Sequence, residues 1–135
     1  MIVGGPNQRQ DFHINETPEW FYMYRGGMVL KVMDDGSPRD IPIEEGEMFL
    51  LPPNTPHSPQ RRKDTIGLVI ELPRPSESKD TLQWYCDNPV CTEIVYRASF
   101  HMSDLGTQVK DGVEDFWASK ENRTCPKCGT IKERI

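Results

Sequence analysis

No apolar stretch in this chain runs far before a proline, a glycine or an Asp-Gly pair cuts it. Twelve prolines and ten glycines punctuate 135 residues, and this pattern selects many short strands over long helices. Trp20, Tyr22 and Tyr24 alternate with Phe21 and Met23, which predicts a strand that is apolar on both faces. Arg25–Gly27 reads as a turn and Met28–Met33 as the returning strand. Asp34–Ser37 carries the Asp-Gly hairpin signal, since glycine accepts positive φ at no steric cost. Ile41 and Ile43 alternate with Asp40, Pro42 and Glu44, and Met48–Leu51 and Ile66–Leu72 complete the strand-like set. Pro52–Pro56 cannot lie in a central strand, because its three prolines lack ladder donors. Strands at this spacing point to a closed barrel or a sandwich.

The apolar fraction of 36% supplies one modest core, provided that a sheet closes on itself. A net charge of −5 with no basic run excludes a nucleic-acid footprint. No window holds the ~18–20 apolar residues of a membrane-spanning helix, and no signal peptide is visible, so a cytoplasmic protein is expected. Met1–Pro6 reads as a strand entering a turn directly, as if the chain began partway into a longer fold. The texture changes at Pro73–Lys79, a polar, proline-bearing segment. We therefore expect a barrel over residues 1–75 and an extension over 76–135. Within the extension Leu105, Val109, Val113 and Phe116 fall at helical spacing and predict one helix packed by that stripe.

Two of the three histidines stand in chemically informative places. His13 precedes Glu19 by six residues, and His57 closes the proline-rich turn. Two imidazoles and one carboxylate on one face of a metal leave the opposite positions free, an arrangement suited to non-haem Fe(II). Zinc, nickel or manganese could use the same ligands. The spacing is similar to the two cupin motifs: Glu19 then Gly26, and Gly46, Pro52, Asn54 and His57 in order. Asn15 stands where many cupins place a further histidine, which leaves three ligands rather than four.

A second set is formed by Cys86 and Cys91, which enclose four residues, and Cys125 and Cys128, which enclose two. Paired knuckles of this kind suit tetrahedral thiolate coordination of zinc or iron. Two disulfides are the rival, disfavoured in a chain without a secretory signal.

Gly4–Asn7, Arg9, Asp11–His13, Pro18–Tyr22, Phe49–Pro53 and His57–Arg61 together resemble the 3-hydroxyanthranilate 3,4-dioxygenase family. Trp84–Cys86 and Leu105–Val109 extend the resemblance, in its fungal form, over nearly the whole chain. The resemblance implies a mostly β fold: a cupin (double-stranded β-helix, or jelly-roll) barrel with a C-terminal extension containing one helix and a four-cysteine metal site. It implies that His13, Glu19 and His57 hold catalytic Fe(II), and that Glu19 also touches the substrate the iron binds. It further implies that Arg9 and Arg61 grip the carboxylate of 3-hydroxyanthranilate, and that Glu71 touches the chelating end and helps move protons. O2 then opens the ring to 2-amino-3-carboxymuconate semialdehyde, which closes to quinolinate, a precursor of NAD. Cys86, Cys91, Cys125 and Cys128 correspond to a rubredoxin-like structural site for iron or zinc, and a homodimer is implied. Family members carry a few tens of residues before the position matched by Met1. A shortened, non-catalytic cupin that binds metal and a small carboxylate is therefore the alternative reading. His101 is expected to be structural or exposed.

Overall fold

A computed structural model describes residues 1–135. Ten strands and two helices follow in order: β1 (Ile2–Gly4), β2 (Phe12–Ile14), β3 (Glu19–Arg25), β4 (Met28–Asp34), β5 (Ser37–Ile43), β6 (Met48–Leu51), β7 (His57–Arg61), β8 (Ile66–Glu71), β9 (Asp80–Tyr85), β10 (Ile94–Phe100), α1 (Leu105–Ala118) and α2 (Lys120–Arg123). They form a four-stranded sheet, β1-β8-β3-β6, facing a six-stranded sheet, β10-β9-β2-β7-β4-β5. All the pairings are antiparallel. This is the mostly β, two-sheet barrel that strand spacing allows and that the resemblance implies in its cupin form.

The β4–β5 hairpin turns at Asp35 and Gly36, whose φ values are 49° and 79°. Two consecutive positive φ angles match the right-handed twist of the flanking strands. Between the sheets, alternate residues meet as the period of two requires. Phe21 and Met23 of β3, Met28, Leu30 and Val32 of β4, and Ile43, Leu51 and Val69 form the buried core. Toward one end the same inward-facing rows change from apolar to polar. Glu19 continues the row of Phe21 and Met23, Glu71 that of Val69, and His57 and Arg61 lie along β7. One end of the barrel is thus a packed core, and the other is chemically furnished.

The sheet does not stop at the expected boundary near residue 75. β9 pairs with β2 through Phe12–Gln83, His13–Leu82 and Ile14–Thr81, and β10 pairs with β9. Directly opposed residues point to the same face, so Leu82 shares the face of His13. There α1 covers the sheet in place of the four-stranded layer. Leu82, Trp84 and Phe116 are all 0% exposed, and the Trp84 and Phe116 rings stack at 4.1 Å and 12°. The predicted helical stripe does pack the core, with Phe116 its one fully buried member.

The outer face of the four-stranded sheet is apolar without a cover. Trp20 stands between Leu50 and Ile70, and Tyr22 between Met48 and Leu68. Tyr24, Met48, Leu50 and Ile70 are each more than half exposed. No helix is long and apolar enough to cross a membrane.

Candidate metal centre and substrate pocket

His13 and His57 are brought together by strand register: β2 meets β7 at that one pair. The proline-rich turn delivers His57 to the first position of β7, where the Thr55 carbonyl lies 3.0 Å from Nδ1 and fixes the ring. Gly46, at φ 83°, makes the preceding turn that a side chain would strain. Glu19 opens β3 and is 3% exposed. The potential ligand atoms of His13, Glu19 and His57 all lie within 4.8 Å of one another.

The Glu19 carboxylate tests whether this cluster suits a cation. Its Oε2 lies 2.8 Å from His57 Nε2, yet is buried and makes no hydrogen bond. A buried carboxylate oxygen without a donor is costly, and a cation among the three residues would satisfy it. Burial alone would raise the Glu19 carboxyl, but the His57 ring, Glu71 and the His13 ring outweigh it and hold the group at about 2. Glu19 is thus an anion at neutral pH, as a metal ligand must be.

A cavity of about 350 Å³ opens over the cluster, within the range of small-molecule sites. Arg9, Arg61 and Glu71 line it beside His13, Glu19 and His57. Arg61 is only 5% exposed, so it is no solvated loop charge, unlike its exposed neighbours Arg62 and Lys63. Its backbone N–H donates to Asn7 Oδ1, and burial followed by the Arg9 charge pulls its guanidinium down from the ordinary value. Arg9 is tied to Asp11 through Nε at 3.2 Å and through a second, shorter contact. Glu71 stands directly opposite Glu19 in the β3–β8 register. Burial and the Glu19 carboxylate push it up, while Arg74, whose Nη1 donates to it at 3.0 Å, pulls it back.

Three features of the site escape sequence reasoning. Asp80, 1% exposed, lies 2.6 Å from His13 Nε2. Arg74 holds Asp80 with a fork, Nε to Oδ1 at 2.8 Å and Nη2 to Oδ2 at 2.9 Å. Leu105, Gly106, Val109 and Lys110 of α1 form one wall of the cavity. Asn15 is buried, and its Oδ1 accepts from the backbone and hydroxyl of Thr17, so it shapes the β2–β3 turn. His101 is exposed, with Nδ1 3.0 Å from the Ser78 carbonyl.

A model of the 3-hydroxyanthranilic acid dioxygenase family matches residues 1–117. The chain belongs to that family. The 3-hydroxyanthranilate 3,4-dioxygenase of Neurospora crassa is 60% identical over 133 residues, covering 98% of this chain and 73% of its own length. The enzyme of that name from Yarrowia lipolytica is 58% identical over 131 residues, covering 97% and 77%. A mutant of Bacillus subtilis oxalate decarboxylase superposes at a TM-score of 0.45 with 16% identity, over 93% of this chain and 30% of that one. That overlap is too loose to carry an argument. A metal cofactor follows from membership of the dioxygenase family together with the His13, Glu19 and His57 cluster.

The four cysteines form a second cluster, also with all ligand atoms within 4.8 Å. Cys86 and Cys128 sulfurs are 3.5 Å apart, and those of Cys91 and Cys125 are 3.7 Å apart. A disulfide needs ~2.05 Å, whereas four thiolates around one ion at ~2.3 Å give edges of about 3.8 Å. The Thr130 hydroxyl and backbone N–H stabilise the Cys128 thiolate and lower it to about 6, whereas burial pushes Cys86 up to about 12.

Proposed function

We propose that the chain is a ferrous, ring-cleaving dioxygenase acting on 3-hydroxyanthranilate, with His13, Glu19 and His57 as the iron ligands. The observation that carries this reading is the buried Glu19 oxygen without a hydrogen bond, facing two imidazoles beneath a cavity lined by two arginines. When bound, Fe(II) supplies adjacent coordination positions for an aminophenol and O2 and the electron density that activates O2. Both atoms of O2 enter the product, so the reaction balances without an external reductant.

The protein's own groups then have distinct tasks. Arg61 and Arg9 take the substrate carboxylate, for which a planar guanidinium fork is better matched than an ammonium group. Glu71 faces the chelating end and accepts the phenolic proton, and Arg74 stabilises the carboxylate that Glu71 presents before the transfer. Leu105 and Val109 present apolar surface to the ring and keep water from it. We expect Glu71→Gln to lower kcat by ~10²–10⁴-fold, as loss of a general base does, with metal affinity retained.

The test is anaerobic loading with Fe(II) followed by O2 and 3-hydroxyanthranilate. One O2 consumed per substrate, with the absorption of the ring-opened semialdehyde, supports the assignment. Metal and substrate binding without O2 uptake would favour the non-catalytic cupin.

The four thiolates are assigned to a structural iron or zinc ion that ties the segment after α1 to the β9–β10 turn. In metal-free protein Cys128 should be alkylated by iodoacetamide first, at a rate that rises through about pH 6, with Cys86 the slowest. Zinc should protect all four. Protection of none, read by mass spectrometry, would remove this ion from the account. Free thiols of this kind also fit residence in a reducing, cytosolic compartment.

Self-association is assigned to the outer face of the four-stranded sheet. A contiguous apolar patch around Trp20, Tyr22, Leu50 and Ile70 supports a two-fold contact between copies. Leu50→Glu should shift the sedimenting species from dimer to monomer. A wild type that sediments as a monomer would contradict this.

A further inference from the structure

We infer that Asp80 is a positioning residue of the metal centre, setting the ring of His13 while Arg74 clamps Asp80 in place. The inference rests on the metal reading of His13, Glu19 and His57 and adds a residue to its supporting layer.

The geometry separates Asp80 from the ligands themselves. It contacts His13 at 2.6 Å but lies outside the set whose ligand atoms are mutually within 4.8 Å. Asp80 takes Nε2 of His13, and Nδ1 is assigned to the ion. A carboxylate on the second nitrogen of a metal-bound imidazole fixes its tautomer and orientation and raises its basicity. His57 receives the neutral version of this support from the Thr55 carbonyl, so the two imidazoles are held by unequal partners.

A merely structural Asp80–Arg74 pair does not explain the arrangement. Arg74 already satisfies both Asp80 oxygens, at 2.8 and 2.9 Å, yet Oδ2 is shared with His13. The remaining Arg74 nitrogen donates to Glu71 at 3.0 Å. One half-buried guanidinium thus positions both the carboxylate behind a ligand and the carboxyl at the substrate end. The pairing depends on β9 lying beside β2, which puts Asp80 one strand away from His13.

The test measures Mn(II) affinity from the six-line EPR signal of the free ion. Mn(II) prefers nitrogen and oxygen donors to thiolates, so the four cysteines do not interfere. Asp80→Asn should weaken Mn(II) binding by ~10–100-fold at a temperature where near-ultraviolet circular dichroism shows the fold intact. Arg74→Lys keeps the charge but loses the fork, and should also weaken binding. If Asp80→Asn fails to fold, Arg74→Lys decides alone. Unchanged Mn(II) affinity in the folded variants overturns the inference and spares the metal centre. A wild type that takes up no Mn(II) overturns both.

Discussion

Glu19→Gln should abolish ring cleavage, with a loss of at least ~10³-fold, and remove the stabilisation that a bound cation gives the fold. The two halves of this expectation have one cause. Glu19 is a buried anion, 3% exposed, whose Oε2 has no hydrogen-bond donor. The His57 and His13 rings and Glu71 outweigh the cost of burying it and hold it ionised, so it stands ready to take a cation. With an ion it is the sole carboxylate of the cluster, and a neutral amide is a poor substitute in a site that must position metal, substrate and O2 together. Mn(II) at 100 times its Kd should stabilise the wild type by about 2.7 kcal/mol and Glu19→Gln by none, read by thermal or urea unfolding. A variant stabilised as much as the wild type would show that Glu19 is not a ligand.

Phe116→Ala should have the largest effect on stability, about 3–5 kcal/mol, the range for deleting a fully buried aromatic ring. Phe116 is 0% exposed, stacks on Trp84 at 4.1 Å and has Tyr96 and Trp117 within 5.7 Å. It is the one fully buried residue of α1, so removing it leaves the helix held at its ends. The consequence reaches the pocket, because Leu105, Val109 and Lys110 at the other end of α1 form a wall of it. We expect KM for the aromatic substrate to rise at temperatures where the variant is still folded, while Mn(II) affinity stays near the wild-type value. Urea unfolding checks the first effect and steady-state kinetics the second. A loss below 1 kcal/mol would mean that the barrel, not α1, carries the stability of this half.

Much of the barrel and the middle of the site were legible because the signals are local. Asp35-Gly36 specifies a hairpin through its own backbone preferences, and the alternation in Met28–Met33 gives the buried row of β4 directly. His57 announces itself through the proline turn that aims it. What stayed hidden depends on register between distant strands. β7 has a largely polar sequence and β2 only three residues, so hydrophobic periodicity passes over both. The change of texture at Pro73–Lys79 suggested a boundary, yet β9 returns to pair with β2. That pairing places Asp80 against a histidine 67 positions earlier. Arg74 bonds Glu71 three positions before it, but its fork on Asp80 could not be seen without the sheet. The stripe on α1 signalled packing correctly and gave no sign that its first turn faces a cavity.

The central claim is that one cation is shared by His13, Glu19 and His57. Crystals grown with Fe(II) under anaerobic conditions, measured on both sides of the iron absorption edge, address it most directly. The account predicts an anomalous peak about 2.0–2.2 Å from one nitrogen of each histidine and from a Glu19 oxygen. Iron found only among the four cysteines, with the three residues still packed against one another, would contradict it.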